Sequence, residues 1–255
     1  MPAESVPGSG EPPEVVGHQL VVCAGPDELA ATAARHVAAA ASECVASHGS
    51  FDMAVSGGHT PWAMFAALRS MSVPWESVVV HQVDERFVAL DDPDRNLAHL
   101  RAALEGVDAT VVPMPVGDLE SSDLDPDRAA ADYASELPEH FDLVHLGLGP
   151  DGHTASLVPG DGVLAVTDRP VAVTTSSYQG HRRMTLTYAG LARARSVLWL
   201  VSGSSKADSL ARLLAGDPSI PASGVGVRPS VVIADRAAVA RLPPELLDGA
   251  GERGG

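Results

Sequence analysis

Short apolar runs alternate along this chain with longer helix-like stretches, and that alternation confines it to a layered α/β architecture with a mainly parallel sheet. Strand-like runs stand at 19–24, 53–55, 77–83, 110–112, 142–148, 171–173, 183–187, 196–201 and 231–234. An Ala-rich helical stretch opens at Gly25-Pro26-Asp27-Glu28 and stops at Gly49, with proline and acids in its first turn and glycine at its end. Further helices are expected after Pro61, near 96–104, near 127–137 and from Ser204 onward. No internal repeat and no linker divides the 255 residues, so one large domain is expected rather than two.

Composition narrows the partners. The chain is 45% apolar but only 4% aromatic, so its core must be built from Ala, Val and Leu. A net charge of -16 argues against nucleic acid or an anionic membrane as the main partner, because both demand basic surface. A small anionic metabolite needs only a few converging cations. Residues 1–17 are rich in Pro, Gly and Glu, with no basic residue and no apolar segment. They read as a disordered tail rather than a signal peptide, as do 249–255, leaving 18–248 as the folded domain. No apolar run approaches the ~20 residues that span a bilayer, so a soluble, cytoplasmic protein is expected. Cys23 in a strand-like run and Cys44 in a helix-like one suit free thiols of a reducing compartment, and neither has metal-ligand spacing.

The chemistry concentrates where the strand-like run 142–148 breaks into Gly147-Leu148-Gly149-Pro150-Asp151-Gly152-His153. Glycines let the backbone turn tightly and approach a ligand, and the turn sets an acid and an imidazole two residues apart. Asp151 and His153 thereby stand at a strand's carboxyl end, where open α/β sheets hold their ligands. The same glycines spell Gly-x-Gly-x-x-Gly, a dinucleotide fingerprint, but that motif needs a helix opening at its last glycine. Pro150 and the nearby Pro159-Gly160 leave little room for one.

Three further segments suit an anion. Ser56-Gly57-Gly58-His59-Thr60-Pro61 joins a strand to a helix, with Thr60 expected as cap and Pro61 as first helical residue. The free N–H groups of such a helix start attract negative charge. Lys206 is the only lysine in the chain and lies in a helix's first turn, where an ammonium is unfavourable unless an anion accompanies it. Asp84-Glu85-Arg86 follows a strand, so Arg86 can clamp a phosphate while the carboxylates orient hydroxyls or pair with an arginine. In Arg182-Arg183-Met184-Thr185-Leu186-Thr187, alternation sends one arginine to the site and the other to solvent, without saying which. His36, His81 and His145 have no evident partners and are expected to pack or face solvent.

In order and spacing these segments resemble the 6-phosphogluconolactonase family from about Gln19 to Leu246. The resemblance rests on Ser56-Gly57-Gly58-x-Thr60-Pro61, Asp84-Glu85-Arg86, the stretch 147–160, Arg183-Met184-Thr185-Leu186-Thr187 and Gly203-x-x-Lys206. It implies a Rossmann-like three-layer α/β/α fold and hydrolysis of 6-phospho-D-glucono-1,5-lactone, a step of the oxidative pentose phosphate pathway. It implies no cofactor, and no metal is expected because His153, Asp151 and Asp84 form no recognisable ligand set with the cysteines or other histidines. His153 is then the general base, with Asp151 beside it, and Gly57, Gly58, Thr60, Asp84, Arg86, Arg183 and Lys206 bind the substrate and its phosphate. A monomer is the favoured assembly. His59, Val158 and Arg95-Asn96 depart from the family's usual Ser or Thr, Phe, and Ser-Asn.

Two alternatives share these motifs. Glucosamine-6-phosphate deaminases have the phosphate turn and the Asp-Gly-His element, but carry Asp-Glu-Tyr at 84–86 and a glutamate where Val158 stands. A non-catalytic sugar-phosphate sensor with this fold would need a DNA-binding module, which neither the acidic N-terminal stretch nor the first helix supplies.

Overall fold

The computed structural model describes residues 14–15, 17–119, 124–227 and 229–247. Its elements run β1 (Glu14–Val15), β2 (His18–Cys23), α1 (Pro26–His48), β3 (Phe51–Val55), α2 (His59–Leu68), β4 (Val78–Gln82), β5 (Asp84–Arg86), α3 (Asn96–Ala103) and β6 (Thr110–Val112). There follow α4 (Pro126–Glu136), β7 (Leu143–Gly147), β8 (Val171–Val173), β9 (Arg183–Leu186), α5 (Tyr188–Leu191), β10 (Val197–Val201), α6 (Ala207–Leu214), β11 (Ser230–Asp235) and α7 (Pro244–Leu247). β1 falls inside the stretch expected as a tail and pairs antiparallel with β2. The rest of the two expected tails lies outside the described residues, apart from Gly17.

The main sheet has the order β1-β2-β11-β10-β7-β3-β4-β6 and is parallel from β2 to β6. Its central strands are nearly continuous apolar runs because both faces are covered, and successive side chains divide between two cores. On β10, Leu198 and Leu200 join Phe65 of α2 and Val37 of α1, whereas Val197, Trp199 and Val201 join Tyr133 of α4 and Leu210 of α6. Sheet and helices thus form three layers. α1 spans 23 residues and ends at Gly49 in the left-handed region, φ 89°, whose N–H reaches back to the Val45 carbonyl.

Three short strands form a second, antiparallel sheet of order β5-β9-β8. Asp84-Glu85-Arg86 is therefore a strand in its own right rather than a loop after one, and it pairs residue for residue with Thr185, Met184 and Arg183. This pairing places the two predicted arginine segments side by side.

Candidate active site

From β3 the chain steps outward to β4 and β6, and from β7 it steps the opposite way to β10 and β11. The loops leaving β3 and β7 therefore diverge, and a crevice opens between them at the carboxyl edge of the sheet, the usual ligand position in such folds. It is a cleft of about 210 Å³ lined by Ser56-Gly57-Gly58 from the first loop and Gly147-Leu148-Gly149 with His153 from the second. Arg86, Arg183, Lys206, Asp84 and Asn96 complete most of the wall.

The glycines are required by contact as much as by conformation. A Cβ on Gly57 would collide with the Asn96 carboxamide, and one on Gly149 would collide with the His153 ring. Gly152, at φ 84°, is left-handed, and its Cβ would lie 2.5 Å from the Ile220 Cβ. The amides of the second loop are used within it: Gly149 N–H bonds to His153 O at 2.8 Å and Gly152 N–H to Gly149 O at 3.0 Å.

Within this loop Asp151 Oδ1 lies 2.6 Å from His153 Nδ1, and the same oxygen accepts the His153 backbone N–H at 3.2 Å. Burial works against the Asp151 charge, but these hydrogen bonds from His153 outweigh it and hold the carboxyl below its usual range. Asp151 stands behind the imidazole, which itself lines the cleft.

Asp84 and Arg183 are 5% and 6% exposed and form an ion pair, Arg183 Nη1 to Asp84 Oδ2 at 3.7 Å. The same Asp84 oxygen accepts the Ser156 hydroxyl at 2.6 Å. Burial pulls the Arg183 guanidinium down, Asp84 opposing, and its buried Nε has no partner among the described residues. A cation so placed, with a donor to spare, suits an incoming anion. Burial also pulls Lys206 down, with the Asp151 charge opposing. Arg86 Nη1 donates to the Asp94 carbonyl and to Asn96 Oδ1 at 3.5 Å. Three cations thus converge in an acidic protein.

The structure also corrects the sequence reading. α2 begins at His59 with Gly58, φ 128°, in the cap position, so Thr60 and Pro61 lie inside the first turn and no side chain caps it. Thr60 is not among the residues that line the cleft, whereas Gly57 and Gly58 are. A proline is tolerated there because first-turn N–H groups have no partner within the helix. Arg183 faces the cleft, and Arg182 is exposed with its Nε on the Thr174 carbonyl at 3.1 Å. Glu85 is fully buried and binds protein rather than cleft: it accepts Asn96 N–H at 2.9 Å, Leu97 N–H at 2.7 Å, Arg86 N–H at 2.8 Å and Gln82 Nε2 at 2.9 Å. It caps α3 and so seats Asn96, whose Nδ2 donates to the Asp84 carbonyl at 3.2 Å.

Asn96, Ser156, Tyr178 and Gln179 join the site without having been singled out for it. The cysteines show the reverse: Cys44 lies with His48 and Asp142, all three ligand atoms within 4.8 Å, at the opposite end of the sheet. Asp142 is already engaged there by His48 at 3.2 Å, Arg195 at 3.8 Å and the Asp52 N–H at 2.9 Å. No helix among the described residues is long and apolar enough to cross a membrane.

The chain is similar to known proteins in both sequence and fold. The family model described as glucosamine-6-phosphate isomerases/6-phosphogluconolactonase matches residues 24–233. A 6-phosphogluconolactonase of Synechocystis sp. is 39% identical over 188 residues, covering 68% of this chain and 75% of that one. One of Mycobacterium bovis is 36% identical over 235 residues, covering 85% and 95%. The solved structure of 6-phosphogluconolactonase from Trypanosoma brucei superposes with a TM-score of 0.76 at 27% identity, covering 92% of this chain and 100% of that one. By motif order, fold and sequence match, the chain belongs to the glucosamine-6-phosphate isomerase/6-phosphogluconolactonase family.

Proposed function

We propose that this protein hydrolyses 6-phospho-D-glucono-1,5-lactone to 6-phospho-D-gluconate, with His153 as general base. The observation that carries the reading is the 2.6 Å contact between Asp151 Oδ1 and His153 Nδ1 at the wall of a cation-lined cleft. The carboxylate accepts the Nδ1–H and fixes the tautomer, so the lone pair lies on Nε2, which no described residue engages. Nε2 takes a proton from water as its oxygen attacks C1 of the lactone. The same proton then passes to the ring oxygen as the C1–O bond breaks, leaving an open-chain acid. Arg183, Lys206, Arg86 and the amides of Gly57 and Gly58 hold the phosphate, and Asp84 orients substrate hydroxyls and Arg183 together.

The names of the sequence relatives support the lactonase reading. So does Arg86, a charged phosphate ligand at the position where deaminases carry tyrosine. Freshly made lactone and glucosamine 6-phosphate offered side by side test it. Lactone loss well above the spontaneous rate is expected, with no ammonia release. His153→Ala is expected to fall by about 10²–10⁴-fold in kcat. Ammonia release at a comparable rate would reverse the ranking, and a fully active, folded His153→Ala protein would remove the proposed base.

A further inference from the structure

We propose that Tyr178 is a positioning residue that ties the Asp151–His153 pair to the anion-binding Arg183 through a single aromatic ring. The inference rests on the reading of His153 as base. Tyr178 belongs to a tight hairpin: its N–H bonds to the His181 carbonyl at 3.0 Å and its carbonyl accepts the His181 N–H at 3.3 Å. The two residues between are left-handed, Gln179 at φ 52° and Gly180 at φ 88°, which is the geometry of a type I′ turn. Glycine adopts it freely, but glutamine does so rarely, and such backbone persists only where the surroundings hold it. Here Arg183 does so, its Nη2 lying 3.4 Å from both the Tyr178 carbonyl and Gln179 Oε1.

The turn delivers the Tyr178 side chain between the two halves of the site. Its hydroxyl lies 3.3 Å from Asp151 Oδ2 and 3.4 Å from His153 Nδ1. Asp151 is therefore held at both oxygens, the imidazole on Oδ1 and the phenol on Oδ2. The ring meets the imidazole edge-on, centroids 5.0 Å apart at 63°. The Arg183 guanidinium carbon stands over the same ring, 5.5 Å from its centroid. Burial and then the Asp151 charge push the phenol up, so the hydroxyl stays protonated and donates.

Hydroxyl and ring thus have separable effects. The hydroxyl restrains the carboxylate that holds the base, and so acts on turnover. The ring is a shelf for Arg183, and so acts on affinity for the anionic group. Tyr178→Phe keeps the ring and is expected to lower kcat about tenfold, the scale of one hydrogen bond to a charged group, with KM unchanged. Tyr178→Ala is expected to lose the same kcat and also to raise KM several-fold, in line with a lost cation–π contact. Affinity for 6-phosphogluconate, measured by calorimetry, should weaken in Tyr178→Ala and hold in Tyr178→Phe; this readout needs no turnover. Wild-type kcat, KM and affinity in both folded variants would overturn the proposal, as would equal losses of affinity in the two. If His153→Ala is inactive while both Tyr178 variants behave as wild type, this inference fails and the general-base reading stands.

Discussion

The His153 imidazole occupies the space that a Cβ on Gly149 would need. The carboxylate that holds the ring is just as close: that Cβ would fall 2.6 Å from Asp151 Oδ1. Gly149 is thus a packing partner of the Asp151–His153 pair as well as a turn residue. Gly149→Ala should displace the ring and lower kcat by about 10²–10⁴-fold, as loss of the base itself would. The thermal midpoint should move little, because the displaced groups border the cleft rather than either core. Steady-state kinetics beside a melting curve decide it, and a folded Gly149→Ala protein with the wild-type rate would separate the pair from the chemistry.

Lys206 should act on binding rather than on turnover. It is half-buried at the cleft, and α6 opens directly after it. Removing a charge-assisted contact costs about 1.5–3 kcal/mol, so Lys206→Ala should raise KM about 10–100-fold with an unchanged melting temperature. Lys206→Arg should recover part of that loss, because a planar fork cannot replace a compact ammonium point for point. An unaltered KM in Lys206→Ala would remove the residue from the phosphate site.

What could be read from the sequence was local. Strand runs such as 142–148 and the α1 boundaries at Pro26 and Gly49 carry their own periodicity and punctuation, and they reappear within a residue or two. Asp151 and His153 were legible because one short turn sets both. Of the second sheet, the runs 171–173 and 183–187 were legible as strands, but β5 was not, since a three-residue strand shows no period and its partner lies about a hundred residues away. Thr60 and Pro61 misled because the left-handed Gly58 lets α2 begin two residues before the expected proline start. Glu85 was invisible as a cap because the helix it serves begins eleven residues later. Tyr178 gave no signal of its own, as its role exists only once the hairpin folds over the Asp151 loop.

Glu85 should therefore be a stability residue with an indirect effect on the site. Glu85→Ala leaves the Asn96 and Leu97 N–H groups buried without their acceptor, at about 1–3 kcal/mol each. Denaturant unfolding should show a loss of that order, and Glu85→Gln should recover part of it because an amide oxygen still accepts. A wild-type midpoint in Glu85→Ala would mean that α3 does not depend on this carboxylate.

His145 should make the fold sensitive to acid. It lies on β7 with no exposed surface, and burial pushes its imidazole from the ordinary value of 6.5 down to about 3. The folded value is below the unfolded one, so between those limits the unfolded chain binds the extra proton and acid favours unfolding. The contribution is complete above the unfolded value and drains away by about 1.4 kcal/mol for each pH unit below it. His36, also pulled down by burial, adds to the loss with the same sign. The advantage of the wild type over His145→Gln in urea unfolding should therefore shrink steadily as pH falls from 6.0 to 4.5. A gap that stays constant over that range would show that the folded protein accepts a proton on this histidine as readily as the unfolded chain does.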